Sequence, residues 1–70
     1  MFFKENFKIL RKNNNLSQEE MGKRLNLTRD SIASLENGRM KPSIEILIKI
    51  KENFIVNIDD LIFKDYTKID

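Results

Sequence analysis

The fold of this chain is decided by residues 16–38, which read LSQEEMGKRLNLTRDSIASLENG. The pattern predicts two short helices joined by a tight turn. Ser17 is a preferred residue at a helix N-terminus, and Glu20 three positions later completes a capping box, so the first of these helices should begin at Gln18. Asn26 tolerates the left-handed conformation with which many helices end.

The second helix of this stretch is predicted to begin after Thr28, another good N-terminal cap, and to end at Asn37 and Gly38. Gly22 lies inside the first helix, where a glycine costs about 1 kcal/mol relative to alanine. Close approach of the second helix would favour a glycine there, and a tolerated surface glycine is the alternative. Two short helices, a three-residue turn and a small residue at their crossing are typical of a helix-turn-helix.

This stretch resembles the helix-turn-helix of phage repressors and Cro proteins, the XRE-like family. The resemblance rests on LSQEE at residues 16–20, on LENGR at 35–39 and on KPS at 41–43, and it extends from about Phe7 to Ile62. It implies an all-α fold, a lambda-repressor-like bundle of about five short helices with a central helix-turn-helix. It also implies sequence-specific binding of double-stranded DNA in the regulation of transcription.

Two further helices are predicted from short apolar patterns. Phe3, Phe7 and Leu10 lie on one face of a first helix, which the three asparagines at positions 13–15 should end. Asn57 is expected to cap a short helix over residues 58–62. We expect one DNA-binding domain over residues 1–66, followed by a frayed C-terminal tail over residues 67–70.

Another helix is expected to begin near Ile44, because Pro42 and the N-cap residue Ser43 precede it. Its predicted apolar face comprises Ile44, Leu47, Ile48 and Phe54, with Ile50 on the flank. Lys51 stands where the resembled family usually carries alanine, so its long side chain should carry the ammonium group outward to water.

Composition excludes several classes of function. The chain has neither cysteine nor histidine, which rules out a disulfide, a zinc site built on those residues and a catalytic triad that needs imidazole. Asp59 and Asp60 are adjacent carboxylates that point apart on a helix, and they suit its N-terminal dipole better than catalysis. No apolar run reaches the ~18 residues of a membrane span. We therefore predict a cytoplasmic protein that is not an enzyme, needs no cofactor or metal and does not bind a membrane.

The charge is distributed unevenly along the chain. Residues 1–41 contain nine basic and five acidic side chains, a net charge of +4, whereas residues 42–70 contain four basic and six acidic, a net charge of −2. The basic part contains the helix-turn-helix, as binding to phosphate requires. A chance asymmetry in a small, charge-rich protein is the alternative.

The outer face of the second helix of the motif is predicted to read bases, since Ile32 and Leu35 point inward. The outward residues are Arg29, Asp30, Ala33 and Ser34. Arg29 suits O6 and N7 of guanine, or else it contacts only a phosphate. Asp30 can accept from the amino group of cytosine, pair with Arg29 or steady the helix N-terminus. Ala33 offers a methyl group that suits the methyl of thymine.

The resemblance implies phosphate contacts on both sides of this helix. The residues at those positions are Gln18, Thr28, Ser31, Asn37, Arg39 and Lys41. For Thr28 and Ser31, helix capping alone is an equally good explanation. The resemblance also implies an ion pair between Arg11 and Glu36, which would fix the angle of the reading helix.

We expect a homodimer on a palindromic site with half-sites about 34 Å apart, because one small domain makes a small interface with DNA. The candidate dimer patch is formed by Ile55, Val56, Ile58, Ile62 and Phe63, and core packing of the last helix would explain these residues equally well. Repression by blocking polymerase is the simplest mechanism, while activation through a contact with polymerase stays open. Two other functions fit the sequence: an antitoxin that binds a toxin protein and autoregulates, and a helix-turn-helix used only for protein interaction.

Overall fold

Five helices follow one another along the chain in the computed structural model, which describes residues 1–68. They are α1 (Phe3–Asn13), α2 (Gln18–Leu25), α3 (Arg29–Asn37), α4 (Ile44–Asn53) and α5 (Ile58–Phe63). The described residues contain no strand, and the all-α fold of five short helices expected from the sequence is confirmed. Of the predicted tail, residues 69 and 70 lie outside the described residues, whereas the amide of Thr67 donates to Oδ1 of Asp65 at 3.0 Å.

Side chains at the helix starts determine where four of the helices begin. The caps are Ser17, Thr28, Ser43 and Asn57, each of which accepts a hydrogen bond from the backbone N–H three residues later. The capping box is complete, because the amide of Ser17 also donates to Oε1 of Glu20 at 2.8 Å. This backbone hydrogen bond lowers the pKa of Glu20 by stabilising its carboxylate. The four predicted helix starts are confirmed.

A residue with a left-handed backbone conformation lies at or just after the end of each of the first three helices. Asn15 has φ +58°, Asn26 has φ +56° and Gly38 has φ +83°. Asparagine adopts this conformation more readily than other residues with a side chain, because its short amide bonds locally to the backbone. The two asparagines therefore make sharp turns on either side of α2 without glycine.

The core is formed by residues from all five helices and the segments that connect them. Its buried apolar side chains are Phe3, Phe7, Met21, Leu25, Ile32, Leu35, Ile50, Phe54 and Leu61. The predicted apolar face of α1 is confirmed, since the rings of Phe3 and Phe7 are buried and stacked with centroids 5.3 Å apart. Leu10 completes this face and packs, half-buried, against the same core.

The predicted apolar face of α4 is wrong in part. Ile44 and Ile48 are 74% and 52% exposed, whereas Ile50, predicted to lie on the flank, is fully buried. Leu47 and Phe54 do pack against the core. Apolar side chains occur on most of the circumference of α4, so their spacing alone could not identify the stripe that faces α2. Packing against α2 makes that choice.

Lys51 at the end of α4 is exposed, as the sequence predicts, and it has a specific partner. Its Nζ donates to the backbone carbonyl of Val56 at 2.9 Å. The hydrogen bond joins the last turn of α4 to the segment that leads into α5. The lysine therefore stabilises this connection without perturbing the core.

Asn6 ties α1 to the end of α5, a role that the sequence did not predict. Its side chain is fully buried. Nδ2 donates to the carbonyl oxygens of Leu61 at 2.8 Å and Lys64 at 2.5 Å, and Oδ1 accepts from the amide of Tyr66 at 3.2 Å. The last carbonyl groups of a helix have no partner inside the helix, so a buried amide is well suited to bind them. The available signal was a polar residue between Phe3 and Phe7 on an apolar face.

Candidate DNA-binding surface

Helix α3 has one face in the core and the other in solvent. Ile32 and Leu35 on the inner face are fully buried. The opposite side carries the four residues predicted to read bases: Arg29, Asp30, Ala33 and Ser34. The first two are exposed, and the last two are half-buried. None of the four belongs to the apolar core, so their side chains are available at the surface.

Gly22 sets the approach of α2 to the start of α3. A Cβ atom added at Gly22 would lie 2.6 Å from the carbonyl oxygen of Leu27 and 3.3 Å from the carbonyl carbon of Thr28. The amide of Leu27 also donates to the carbonyl of Gly22 at 2.7 Å. The predicted close approach is confirmed, and it is made by the turn that enters α3. Any larger residue at position 22 would push this turn, and α3 with it, outward.

An ion pair behind α3 connects α1 with the end of α3. Nε of Arg11 donates to Oε2 of Glu36 at 2.6 Å, and Nη2 donates to Oε1 at 3.1 Å. The two side chains are only 11% and 4% exposed. Nη1 of Arg11 donates to the carbonyl of Leu16 at 2.8 Å, just before α2. The hydrogen bond with Glu36 raises the pKa of Arg11, and the two-pronged geometry fixes the end of α3 against α1.

Gln18 joins the same network from the first position of α2. Its Nε2 donates to Oε1 of Glu36 at 3.3 Å, and its side chain is half-buried. The contact brings the N-terminus of α2 beside the last turn of α3, next to Asn37. The backbone N–H groups at a helix N-terminus attract anions, so Gln18 lies where an anion could meet both its amide and the helix end.

The remaining residues predicted to contact phosphate lie at the two ends of α3. Thr28 and Ser31 bond to each other, since Oγ1 of Thr28 donates to Oγ of Ser31 at 2.9 Å and accepts from its backbone amide at 3.0 Å. Thr28 is therefore a helix cap in the free protein. Oδ1 of Asn37 accepts from the amide of Arg39 at 2.9 Å, which orders the loop after α3. Arg39 and Lys41 are exposed on this loop.

The five residues of the predicted dimer patch divide into two groups. Val56, Ile58 and Ile62 are half-buried and pack against the core. Ile55 is fully exposed, and Phe63 is 66% exposed. The structure thus assigns a packing role to three of these residues and leaves two as large apolar groups in solvent.

Lys4 on α1 lies beside the end of α3, although it was not among the residues predicted to contact DNA. Its Cδ would be 3.1 Å from a Cβ atom added at Gly38, the residue that ends α3. The only sequence signal was its position off the face of Phe3 and Phe7, which is shared by most lysines of α1.

A family model described as helix-turn-helix matches residues 7–61, most of the chain. The chain belongs to the XRE-type helix-turn-helix family. This family membership identifies it as a DNA-binding regulator of transcription. The match spans the sequence from the middle of α1 to α5, so the whole bundle, and not the two-helix motif alone, corresponds to the family fold.

Relatives of this chain are described as HTH-type regulators of transcription. An uncharacterized HTH-type transcriptional regulator of Methanocaldococcus jannaschii is 36% identical over 63 residues, which cover 89% of this chain and 96% of the relative. Another from Archaeoglobus fulgidus is 37% identical over 51 residues, 73% of this chain and 72% of the relative. The HTH-type transcriptional activator BcrR of Enterococcus faecalis is 37% identical over 62 residues, 89% of this chain but only 30% of that protein.

No solved structure has significant similarity to this chain. Within residues 1–68, none of the helices is long and apolar enough to cross a membrane.

Proposed function

We propose that this helix-turn-helix protein represses transcription by binding a palindromic DNA operator as a homodimer. In this proposal α3 enters the major groove, where Arg29 contacts guanine and Ala33 meets a thymine methyl group. Asp30 selects cytosine by accepting from its amino group and disfavours other bases, and Ser34 adds a further hydrogen bond. The bound dimer blocks access of polymerase to the promoter.

The observation that carries this proposal is the two-sided character of α3. Its inner face is held by fully buried Ile32 and Leu35, while Arg29 at its N-terminal end is exposed. A helix that reads bases must expose its first turns and be rigidly supported from behind. Glu36, held by Arg11, supplies that support at the other end of the helix.

Phosphate contacts on either side are proposed to orient α3 in the groove. Gln18 would contact the backbone on one side through its amide and the N-terminus of α2. Asn37, Arg39 and Lys41 would contact it from the loop after α3. Thr28 and Ser31 would also contact the phosphate. Their hydroxyl groups would give up the hydrogen bond to each other and bind a phosphate oxygen instead, whereas in the free protein Thr28 caps α3.

Dimerisation is proposed to use the exposed part of the predicted patch, Ile55 and Phe63, with Val56, Ile58 and Ile62 forming its half-buried floor. A contiguous exposed apolar patch is typical of a surface that binds protein, and these two side chains would contribute to one. A two-fold axis through this surface would relate two copies of α3 and so match half-sites about one DNA turn, ~34 Å, apart.

The test is selection of bound duplexes from a random pool, followed by affinity measurements on the selected sequence. A palindrome with half-sites about 34 Å apart is the expected result. Arg29→Ala should cost about 1–3 kcal/mol for each half-site and relax the preference at one base pair of each. Arg39→Ala, the matched control, should weaken binding to every duplex alike, because a phosphate contact carries no sequence information.

Four results would each contradict a different part of the proposal. Failure to retain any duplex at low salt would favour a module for protein interaction, since phosphate contacts bind strongly under those conditions. Asymmetric selected sites and a monomer in sedimentation would refute the dimer. Increased expression from a reporter promoter that contains the site would refute repression and favour activation through a contact with polymerase; the relative BcrR is named a transcriptional activator. Co-purification with a toxin encoded beside it would favour an antitoxin.

The dimer surface has its own matched comparison. Ile55→Glu and Phe63→Glu should dissociate the dimer in sedimentation without unfolding it, because both side chains are exposed. Lys23→Glu introduces the same carboxylate at an exposed position on α2, outside the patch. That variant should remain dimeric, and dissociation there instead would refute the assignment of the patch.

A further inference from the structure

Lys4 lies on the side of α1 that faces the end of α3. Asn6, two residues later, binds the carbonyl groups at the end of α5. Two residues correspond to about 200° around a helix, so Lys4 projects to nearly the opposite side of α1. The side chain of Lys4 extends across Gly38, with Cδ 3.1 Å and Nζ 3.5 Å from the position of a Cβ atom there.

The conformation of Gly38 makes room for this lysine. Its φ of +83° is in the left-handed region that ends α3, and its lack of a side chain leaves space for the methylene stem of Lys4. Lys4, Gly38 and Lys41 line one hollow of about 180 Å³. Two lysines from distant parts of the sequence therefore border the same depression beside the loop after α3.

The two lysines that border this hollow, and Arg39 on the same loop as Lys41, have no ion-pair partner among the described residues. Across residues 1–68 the one ion pair is Arg11–Glu36, so Lys4, Arg39 and Lys41 all lie outside ion pairs. The three are exposed. Like charges repel in the free protein, and a bound anion would relieve that repulsion.

We propose that Lys4 is a phosphate contact that extends the DNA-binding surface from the loop after α3 onto α1. The inference rests on the proposed function, and it adds a residue from a third helix to the group that grips the sugar–phosphate backbone. Gly38 acts as a passage for the lysine stem, and the ammonium group meets the phosphate beside the one contacted by Lys41. The contact strengthens binding to any duplex and carries no base preference.

A purely structural role would give different measurements. Helix α3 has no basic residue in its last turn, and the ammonium of Lys4 could serve only to offset the negative end of its dipole. Loss of such a role would lower the melting temperature and leave the salt dependence of DNA binding unchanged. Loss of a phosphate contact would leave the melting temperature unchanged and reduce the salt dependence of DNA binding.

The experiment compares Lys4→Ala, Lys4→Arg and the control Lys64→Ala on the duplex selected from the random pool and on a scrambled duplex. Each phosphate contact contributes about 0.9 to the slope of log affinity against log salt. The proposed dimer would lose two such contacts, so between about 50 and 200 mM salt the affinity of Lys4→Ala should fall about 12-fold less than that of the wild type. Lys4→Arg should keep the wild-type slope. Lys64→Ala removes the same charge on the α5 side and should also keep it.

The outcomes distinguish failure of the phosphate contact from failure of the proposed function. An unchanged slope for Lys4→Ala with a lowered melting temperature overturns the phosphate contact and leaves the proposed function standing. An equal loss of slope in Lys64→Ala overturns it as well, because the effect would then be one of net charge. Loss of affinity restricted to the selected duplex also overturns it. If the wild type retains no duplex at low salt, the proposed function itself fails.

Discussion

Replacing Arg11 with alanine should destabilise this protein more than almost any other single truncation. The change removes a guanidinium group that donates to both oxygens of Glu36 and to the carbonyl of Leu16. The carboxylate of Glu36, 4% exposed, would keep only the amide of Gln18 at 3.3 Å as a partner. A buried charge left without its partner is far more costly than the intact pair is stabilising.

The expected magnitude is a large part of the total stability. Breaking a buried ion pair by removing one partner costs about 3–5 kcal/mol. A domain of this length has a free energy of unfolding of about 4–10 kcal/mol. Each 1 kcal/mol lowers the melting temperature of so small a domain by about 4–8 °C, so we expect a decrease of about 12–40 °C. Urea unfolding followed by circular dichroism would measure the same loss at fixed temperature.

A double substitution separates the pair from the charge that is left behind. Arg11→Met combined with Glu36→Leu removes both charges and fills similar volume, so it should be much more stable than Arg11→Ala alone. This folded variant should still bind DNA less tightly than the wild type, because Gln18 loses the carboxylate that orients it. Unchanged melting of Arg11→Ala would refute the reasoning, as would a double variant no more stable than the single one.

Two further substitutions test how the bundle is held together. Gly22→Ala should destabilise the protein by about 1–3 kcal/mol despite the better helix propensity of alanine, because the new Cβ would lie 2.6 Å from a backbone carbonyl oxygen. The control is Lys23→Ala at the exposed neighbouring position. A melting temperature of Gly22→Ala at or above that of the wild type would contradict the close packing at this position. Asn6→Ala should cost at least about 2 kcal/mol by removing the donor to the buried carbonyl of Leu61 and the partly buried carbonyl of Lys64, with faster hydrogen exchange at the amide of Tyr66. The control there is Asn14→Ala, whose amide donates to Leu10 within an exposed turn, and equal effects of the two asparagine substitutions would count against a special role for Asn6.

The helix boundaries were largely predictable because they depend on neighbours in sequence. The hydroxyl of Ser17 reaches a backbone amide three positions away, and Asn26 turns the chain through its own φ angle. These interactions are complete within one helical turn. The positions of Arg29 and Ser34 on the outer face of α3 follow in the same way, since the burial of Ile32 and Leu35 sets the orientation of the helix.

The pairing of Arg11 with Glu36 has a different origin. The two residues are 25 positions apart, and no local pattern joins them. The expectation came from the resemblance to a family, and the structure supplies the geometry that makes the pair buried and two-pronged. Gln18 was predicted to contact phosphate and not Glu36. Its contact with Glu36 joins the start of α2 to the end of α3, and it depends on how α2 crosses α3.

By itself the sequence determined the number of helices, the caps that begin four of them, and the exposed face of α3, because these depend on groups within a few residues of one another. Only the tertiary structure decided that Ile50 and not Ile44 lies in the core, since apolar residues cover most of α4 and its partner helix selects among them. It also decided that Asn6 binds the end of α5, 55 positions away at Leu61, and that Lys4 crosses Gly38. Such contacts depend on the relative placement of helices, which arises when the whole apolar surface is buried at once.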